Sequence, residues 1–588
     1  MAKKDYSNLT KEQLLEVIDK LEGKKKYGLV WDEERVPEKV VTDCQDKLPV
    51  LTAIKSKEIT TDETQPTHIL IEGDNYHALS VLNYTHKGKI DLIYIDPPYN
   101  TGKKDFIYND DYIGLDDTWR HSKWINFMHS RLVLAKELLK DDGFIVVSID
   151  DNEIAQLKLL LDMLFNDNSK IVAVKMSEAS GLKMGATKRA GNIPKYKEYV
   201  VFAKLSGIKD LHFDSIKKED WDDEYNLFLN NFEKEHKNYI EQLSENEEIL
   251  ESEINHLDNE ILKNIEFSSV SLKLKELNIT DKKEILKWKY DNSWRICRSA
   301  ASTSVKKLAD DKRSIIQQSI FSVISKRDKL LYIVKGDYGL ESSKPRVQLI
   351  FASDNLATHP GDFWSDIKTT GLEAEGGVNF KNGKKPLELI NRILKSHKNK
   401  DAIILDFFAG SGTTGHSVLF QNKKENFKRQ FILCTNNESN NGVEKVIDDF
   451  CYPRIKNCIN EFGNNLKYFK TSFVANNRNK DQLKIDITKK CTEMLCLKEG
   501  IYNLRIETTD YKIFQQADKY LAVYYDFANV SLEELKNEMN ALTGEKILYC
   551  FTVDTELNKT NFRGWKNTRL EPIPQKILDV YKRIFNND

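Results

Sequence analysis

No run in the sequence approaches ~18 uninterrupted apolar residues, so a membrane-spanning helix is not expected. The first residues, MAKKDYSNLTKEQLLEVIDKLEGKKK, lack the apolar core of a secretory leader. Neither sign of charge is in excess. The 89 Lys and Arg face 91 Asp and Glu, a net charge of −2, so composition neither implies nor excludes a polyanionic partner. The eight cysteines are scattered, and the closest pairs, Cys451/Cys458 and Cys491/Cys496, lack zinc-ligand spacing. Reduced, buried thiols in a cytoplasmic protein are the expectation, with no metal and no disulfide. No Gly-x-x-x-x-Gly-Lys-Ser/Thr occurs, which argues against a Walker-type ATPase.

What is present is an interrupted α/β rhythm. The 588 residues are too many for one hydrophobic core. Residues 1–45 are charged and partly helical, an arm rather than a domain. Short apolar runs at 68–72 (HILIE), 90–95 (IDLIYI), 144–149 (FIVVSI) and 199–203 (YVVFA) read as buried strands. Between them, Trp124, Phe127, Met128, Leu132, Ala135, Leu138 and Leu139 recur at helical spacing, with Asp142-Gly143 expected to end that helix. Strands alternating with helices predict a mainly parallel sheet. The rhythm fails over 206–365, where Leu250, Ile254, Leu257 and Ile261 suggest a helical hairpin or short coiled coil in an acidic stretch, a surface suited to a partner or a second copy. It resumes with a helix from Lys385 and strands at 402–405 and 430–434. A last block, 475–588, mixes strand and helix patterns. One α/β domain is therefore written in two pieces, 46–205 and 366–474, around an α-rich insertion at 206–365, with a small α+β domain at the end.

Asp96-Pro97-Pro98-Tyr99 follows the strand IDLIYI directly. Two prolines cannot continue a central strand, so the chain must leave the sheet at its carboxyl edge, where open α/β sheets bind ligands. An aromatic amine is a poor nucleophile because its lone pair is delocalised. A carboxylate and a carbonyl accepting its two N–H groups would favour a pyramidal nitrogen, with Asp96 and the Pro97 carbonyl as acceptors and Tyr99 as a stacking platform. The plain alternative is a proline-rich turn capped by Asp. The second motif, from Asp406 through Phe407, Phe408, Ala409, Gly410, Ser411, Gly412 and Thr413 to Thr414, also follows a strand. Its glycines permit a tight turn and close backbone approach, and the next helix offers free N–H groups. Dinucleotide turns use the same physics, but the spacing is read here as a different one. Strand 430–434 leads to Glu438, placed to grip ribose hydroxyls.

DPPY with DFFAGSGTT resembles the amino-group DNA methyltransferases that use S-adenosylmethionine. The catalytic motif precedes the cofactor motif by roughly three hundred residues, the order of their beta class, in which a target recognition domain lies between the two. Residues 68–82, 90–109, 121–132, 143–153 and 451–455 further resemble the modification subunit of type III restriction systems. The resemblance implies a Rossmann-like methyltransferase sheet and transfer of methyl to N6 of a flipped adenine in double-stranded DNA. It implies a homodimer, and a separate helicase-nuclease subunit for restriction. By position, Asp96, Pro97, Pro98 and Tyr99 match the catalytic loop. Asp406, Phe408, Ala409, Gly410, Ser411 and Gly412 match the cofactor loop, and Glu438 the ribose acid. Asp74 matches the acid near the cofactor's adenine, with a helix cap as its alternative. Lys385 and Pro386 match the segment before the helix that lines the methionine moiety.

No Pro-Cys dipeptide is present to supply the covalent thiol of cytosine-C5 enzymes. Cytosine-N4 methylation uses the same acceptor geometry and remains the main alternative, with a non-catalytic DNA specificity subunit behind it. Two basic segments, 183–197 with Lys183, Lys188, Arg189 and Lys195, and 294–307 with Arg295 and Arg298, are the expected phosphate contacts. A solvated surface is the alternative for each.

Overall fold

The computed structural model describes residues 10–11, 13–15, 31, 37–62, 64–103, 105–109, 111–176, 185, 188–191, 193–218, 220–246, 249–325, 329–339, 345–372, 375–378, 384–437, 439–440, 444–476, 479–526, 530–554, 556–557 and 559–585. Its contacts separate two compact units, residues 1–213 with 361–588, and 214–360.

The first unit is built on a ten-stranded sheet. In chain order its strands are β1 (Lys47–Ala53), β2 (Thr67–Glu72), β3 (Ile90–Ile95), β4 (Leu139–Ile149), β5 (Ser169–Lys175), β6 (Lys197–Ala203), β7 (Phe363–Trp364), β8 (Ile403–Asp406), β9 (Gln430–Thr435) and β10 (Asn465–Ala475). Their spatial order is β1-β10-β2-β9-β8-β3-β4-β6-β5-β7. The run from β10 to β4 is parallel throughout, while β6 pairs antiparallel with β4 and β5. All six residues of β3 are buried, as expected of a strand covered on both faces.

Side-chain alternation divides the core. Ile93, Ile95 and Val147 face one layer, with helices α1 (Asn75–Thr85), α2 (Arg120–Leu138) and α3 (Ile154–Leu164). Leu92, Tyr94 and Val146 face the other, with α4 (Leu387–Lys395), α5 (Thr413–Glu425) and α6 (Tyr452–Phe462). The cysteines are all free and buried. Helix α2 ends at Leu138 rather than at the Asp142-Gly143 turn, and β4 begins at once. Gly143 serves instead for close strand approach, since a Cβ there would lie 2.9 Å from the Ile90 carbonyl. Residues 479–585 carry a five-stranded sheet, and Met494, Leu495, Ile577 and Tyr581 join the first core layer. Among the described residues no helix is long and apolar enough to cross a membrane.

The unit 214–360 carries the helices expected of the insertion, Lys234–Glu245, Glu251–His256, Val270–Glu276, Lys282–Asp291 and Thr303–Arg313, together with a sheet that the sequence pattern did not lead one to expect. It holds a six-stranded sheet of strands Glu266–Ser269, Leu227–Asn230, Ile296–Ala301, Arg346–Phe351, Leu331–Lys335 and Ile320–Ile324, antiparallel at every pairing. The strands are four to six residues long, too short for periodicity to separate them from the helical segments around them. Nor is the 250–261 seam a free coiled-coil face. Leu257 and Ile261 are buried with Ile240, Leu243 and Leu349 of the same unit, whereas Leu250 is 59% exposed.

Candidate active site

Two motifs written far apart in sequence leave the sheet side by side. Strands β3 and β8 are hydrogen-bonded neighbours and parallel, with Leu92 beside Ile404 and Ile93 beside Leu405. Their carboxyl ends therefore lie on one edge, where Asp96 and Phe407 begin the two turns. From β8 the chain crosses by α5 to β9, and from β3 it crosses by α2 to β4, on opposite sides. The crevice between them is the topological switch point, the place where open α/β sheets hold ligands.

The DPPY turn is fixed from behind. The indole N–H of Trp124, fully buried in α2, donates to the Pro98 carbonyl at 2.7 Å. Asn100, at φ 57°, follows Tyr99 and donates from Nδ2 to Glu153 Oε1 at 2.5 Å and to the Arg120 carbonyl at 3.3 Å. Asn tolerates that left-handed conformation better than most residues. Glu153 is fully buried and also lies 2.7 Å from His121 Nδ1. Burial pushes its carboxyl up to about 8.

In front of the turn a cation sits among acids. The Lys385 ammonium donates to Glu198 Oε2 at 2.8 Å and to the Tyr99 hydroxyl, and lies 3.4 Å from Asp96 Oδ1. It stands 4.7 Å from the Tyr99 ring centre. The Tyr99 hydroxyl in turn donates to Glu198 Oε2 at 3.2 Å. Burial pushes the Asp96 carboxyl up to about 6; Lys385 opposes the shift and Glu198 adds to it. Burial alone would lower the Lys385 pKa, but Asp96 and Glu198 outweigh it and hold it raised. Asp96 Oδ1 is buried and accepts no hydrogen bond.

The glycine turn is braced by its own aspartate. Asp406, 2% exposed, accepts from the Phe408 N–H at 3.0 Å and from the Thr414 hydroxyl at 2.5 Å. Burial pushes its carboxyl up to about 7, and the neighbouring Asp96 charge adds to this. Gly410 and Gly412 have φ of 48° and 78°, open to glycine at no steric cost. A Cβ on Gly410 would meet only the Phe408 carbonyl, at 3.9 Å, so the backbone there is open to a ligand. A Cβ on Gly415 would lie 2.5 Å from Ile455 Cδ1. Gly410, Gly412 and Gly415 thus have the G-x-G-x-x-G spacing after all, contrary to the reading of the loop above, and Gly415 serves helix packing.

Asp74 caps α1, accepting from the Tyr76 N–H at 2.7 Å, and stays 31% exposed, with Arg131 3.5 Å away. Pro386 is the residue before the first turn of α4. Phe408 packs 5.9 Å from Phe127, and the Asn75 amide donates to the Phe407 carbonyl at 3.2 Å. Glu438 and Lys183 lie outside the described residues. Lys188 and Arg189 are exposed. Lys195 pairs with Asp150 at 2.6 Å. In the second unit Arg298 is paired with Glu224, while Arg295 donates to Asn292 Oδ1 at 2.6 Å and stacks 4.7 Å from the Phe228 ring.

Three residues at the site escaped the sequence reading. Glu198 is one. Arg131, fully buried, is held by Glu38 through two 2.8 Å bonds and by Asn75. Arg454, also buried, donates to Ser411 Oγ at 3.2 Å and Thr413 Oγ1 at 2.7 Å, tying α6 to the glycine turn. The available signal was a charged residue inside an otherwise buried pattern, YVVFA preceded by Glu198 and CYPRI containing Arg454.

The fold and the paired turns define an α/β protein whose topological switch point sets a partly buried carboxylate and an open glycine turn at the ends of neighbouring strands. The family model described as DNA methylase, for the N6 and N4 methyltransferases, matches residues 90–440, and the chain belongs to that family. It is 28% identical over 433 residues to the type III restriction-modification enzyme StyLTI Mod subunit of Salmonella typhimurium, covering 67% of this chain and 58% of that one. It is 30% identical over 468 residues to the EcoPI Mod subunit of Escherichia phage P1, covering 73% and 66%. It is 29% identical over 392 residues to the type II methyltransferase M.KpnI of Klebsiella pneumoniae, covering 64% and 81%. The chain spans about half to two thirds of the length of the type III subunits it matches.

Proposed function

We propose that the chain transfers a methyl group from S-adenosylmethionine to N6 of an adenine flipped out of duplex DNA, as the modification and recognition subunit of a type III restriction-modification system. One observation carries the reading. The adjacency of β3 and β8 brings Asp96 Oδ1, a buried oxygen that accepts no hydrogen bond and has the Lys385 ammonium 3.4 Å away, to the same sheet edge as the open turn at Gly410. Those features suit an amine donor on one side and a nucleoside-bearing cofactor on the other.

S-adenosylmethionine, when bound, supplies an electrophilic methyl on a sulfonium. The backbone at Gly410 and Gly412, with Ala409 and Phe408, would hold it, and Asp74 would face its adenosine; Glu438 is the ribose acid by sequence position alone. Asp406 and Ser411 act by shaping the turn, since their polar atoms are engaged with Phe408, Thr414 and Arg454. The Asp96 carboxylate accepts one amine N–H and the Pro97 carbonyl the other, the Pro98 carbonyl being taken by Trp124. That arrangement favours a pyramidal nitrogen with its lone pair toward the methyl. After attack the nitrogen sheds one proton, for which Asp96 is the nearest base. Tyr99 stacks on the flipped base, helping to offset the few kcal/mol that flipping costs.

Residues 46–205 and 366–474 form the methyltransferase domain in this reading. The insertion at 206–365, with its compact sheet unit, is the target recognition domain, and residues 1–45 and 475–588 flank the core. Lys188 and Arg189, both exposed, are the phosphate contacts in this reading. The names of the type III relatives suggest a separate restriction subunit as a partner, and a homodimer is proposed with it.

The test is Asp96→Ala with tritiated S-adenosylmethionine, gel shift on duplex DNA, and mass spectrometry of digested nucleosides. Loss of transfer with DNA and cofactor binding retained is the expected result, and N6-methyladenine is the expected wild-type product. Full activity in the variant would refute the assignment. N4-methylcytosine as the product would replace adenine with cytosine.

A further inference from the structure

The cation at the active site is shared between two carboxylates, and it lies closer to one of them. Lys385 Nζ is 2.8 Å from Glu198 and 3.4 Å from Asp96, and a further donor goes to the Tyr99 hydroxyl. An ammonium has three donors; two go to Glu198 and Tyr99, and Asp96 Oδ1 is the longer third neighbour at 3.4 Å. Glu198 stands on β6, between β4 and β5, on a strand that carries neither motif. The three charged side chains are only 14% to 24% exposed, so water screens their choice of partner weakly.

We infer that Glu198 is a positioning residue that draws the Lys385 ammonium toward itself and loosens its pair with Asp96, so that the amine of the target base can displace the cation from the Asp96 carboxylate. The inference rests on the proposed role of Asp96. Without the Glu198 charge, Asp96 is the nearest anion left to Lys385, and a close ion pair would fill the acceptor site the amine needs. Glu198 also fixes the Tyr99 hydroxyl at 3.2 Å, so one carboxylate sets both the stacking ring and the competing cation.

The experiment is single-turnover methyl transfer by Glu198→Gln, Glu198→Asp, Lys385→Met and Glu198→Gln/Lys385→Met, with S-adenosylmethionine and DNA affinities measured alongside. Glu198→Gln should slow transfer at least about tenfold while both affinities change less than about threefold, and Glu198→Asp should recover part of the rate. In the Lys385→Met background the added Glu198→Gln should cost less than about twofold, because no cation remains to compete. An equal loss in both backgrounds, or an unchanged rate in Glu198→Gln, overturns the inference.

If Lys385→Met alone abolishes transfer, the pH–rate profile of Glu198→Gln decides. The groups facing Asp96 are Lys385 before α4, Glu198 on β6, Tyr99 in the same turn, Tyr94 on β3 and Asp406 on β8. A close pair with Lys385 and the loss of a like charge both favour ionised Asp96, so the acid limb must move to lower pH. A limb that stays put overturns the inference. Asp96→Ala is the control that separates the two claims. An active Asp96→Ala sinks the proposed function itself, whereas an inactive Asp96→Ala beside a fully active Glu198→Gln sinks only the role of Glu198.

Discussion

Trp124→Phe tests whether the DPPY turn is held by the helix behind it. The substitution keeps an aromatic ring in a fully buried position and deletes the single N–H that reaches the Pro98 carbonyl at 2.7 Å. Leaving a shielded acceptor without its donor costs about 1–3 kcal/mol. The smaller ring leaves roughly 40 Å³ unfilled, worth about 1 kcal/mol at ~24 cal/mol per Å³. Stability should therefore fall by about 2–4 kcal/mol, a loss a domain of this size can tolerate while staying folded. The larger effect should be on chemistry, because a misplacement of about 1 Å at a reacting group costs on the order of a hundredfold. Single-turnover transfer of tritiated methyl should drop about 10- to 100-fold, with S-adenosylmethionine affinity changed less than about threefold, since the glycine turn is untouched. A thermal melt confirms folding. A folded variant that transfers at the wild-type rate would refute the claim that Trp124 positions the turn.

Two further substitutions probe the same architecture. Gly415→Ala gains helix propensity but places a Cβ 2.5 Å from Ile455 Cδ1 and 2.9 Å from Leu433 Cδ1. Overpacking of this kind costs about 1–3 kcal/mol, so chemical denaturation should show a net loss despite the better helix former. Adding Ile455→Val, which deletes the nearer of the two methyls, should make the double variant lose less than the sum of the single losses, and an additive loss would rule out the clash with Ile455. Glu153→Gln addresses pH. The folded carboxyl is pushed from 4.5 to about 8 by burial, so it contributes stability at low pH that is lost as pH rises toward about 8. Gln does not ionise, so the melting temperature of the variant minus that of the wild type should grow between about pH 5 and about pH 9. A pH-independent difference would show that Glu153 does not titrate as its burial requires.

The strand signals at 68–72, 90–95, 402–405 and 430–434 were legible because a parallel sheet covered on both faces demands continuous apolar runs. The turns that follow them were legible because proline pairs and glycines act locally on the backbone. What stayed hidden depends on who neighbours whom. Glu198 sits in KEYVVFA, whose antiparallel place beside β4 no local pattern specifies, so its meeting with Lys385, 187 residues away, was invisible. The Glu38–Arg131 pair spans 93 residues and is equally non-local. Asp74 read as a cofactor acid and also as a cap, and sequence could not rank the two; in the folded chain it caps α1 while keeping an exposed edge. The sheet of the insertion stayed hidden because amphipathic helices dominate the pattern there while its short strands carry little periodic signal.

The central claim is that one crevice, between β3 and β8, seats the methyl donor against the base amine. A crystal structure with S-adenosylmethionine or an unreactive analogue tests it most directly. The sulfonium should lie over the turn at Gly410 and Gly412, with its methyl directed toward the Asp96 carboxylate. A donor bound elsewhere, or one in the crevice with its methyl pointing away from Asp96, would contradict it.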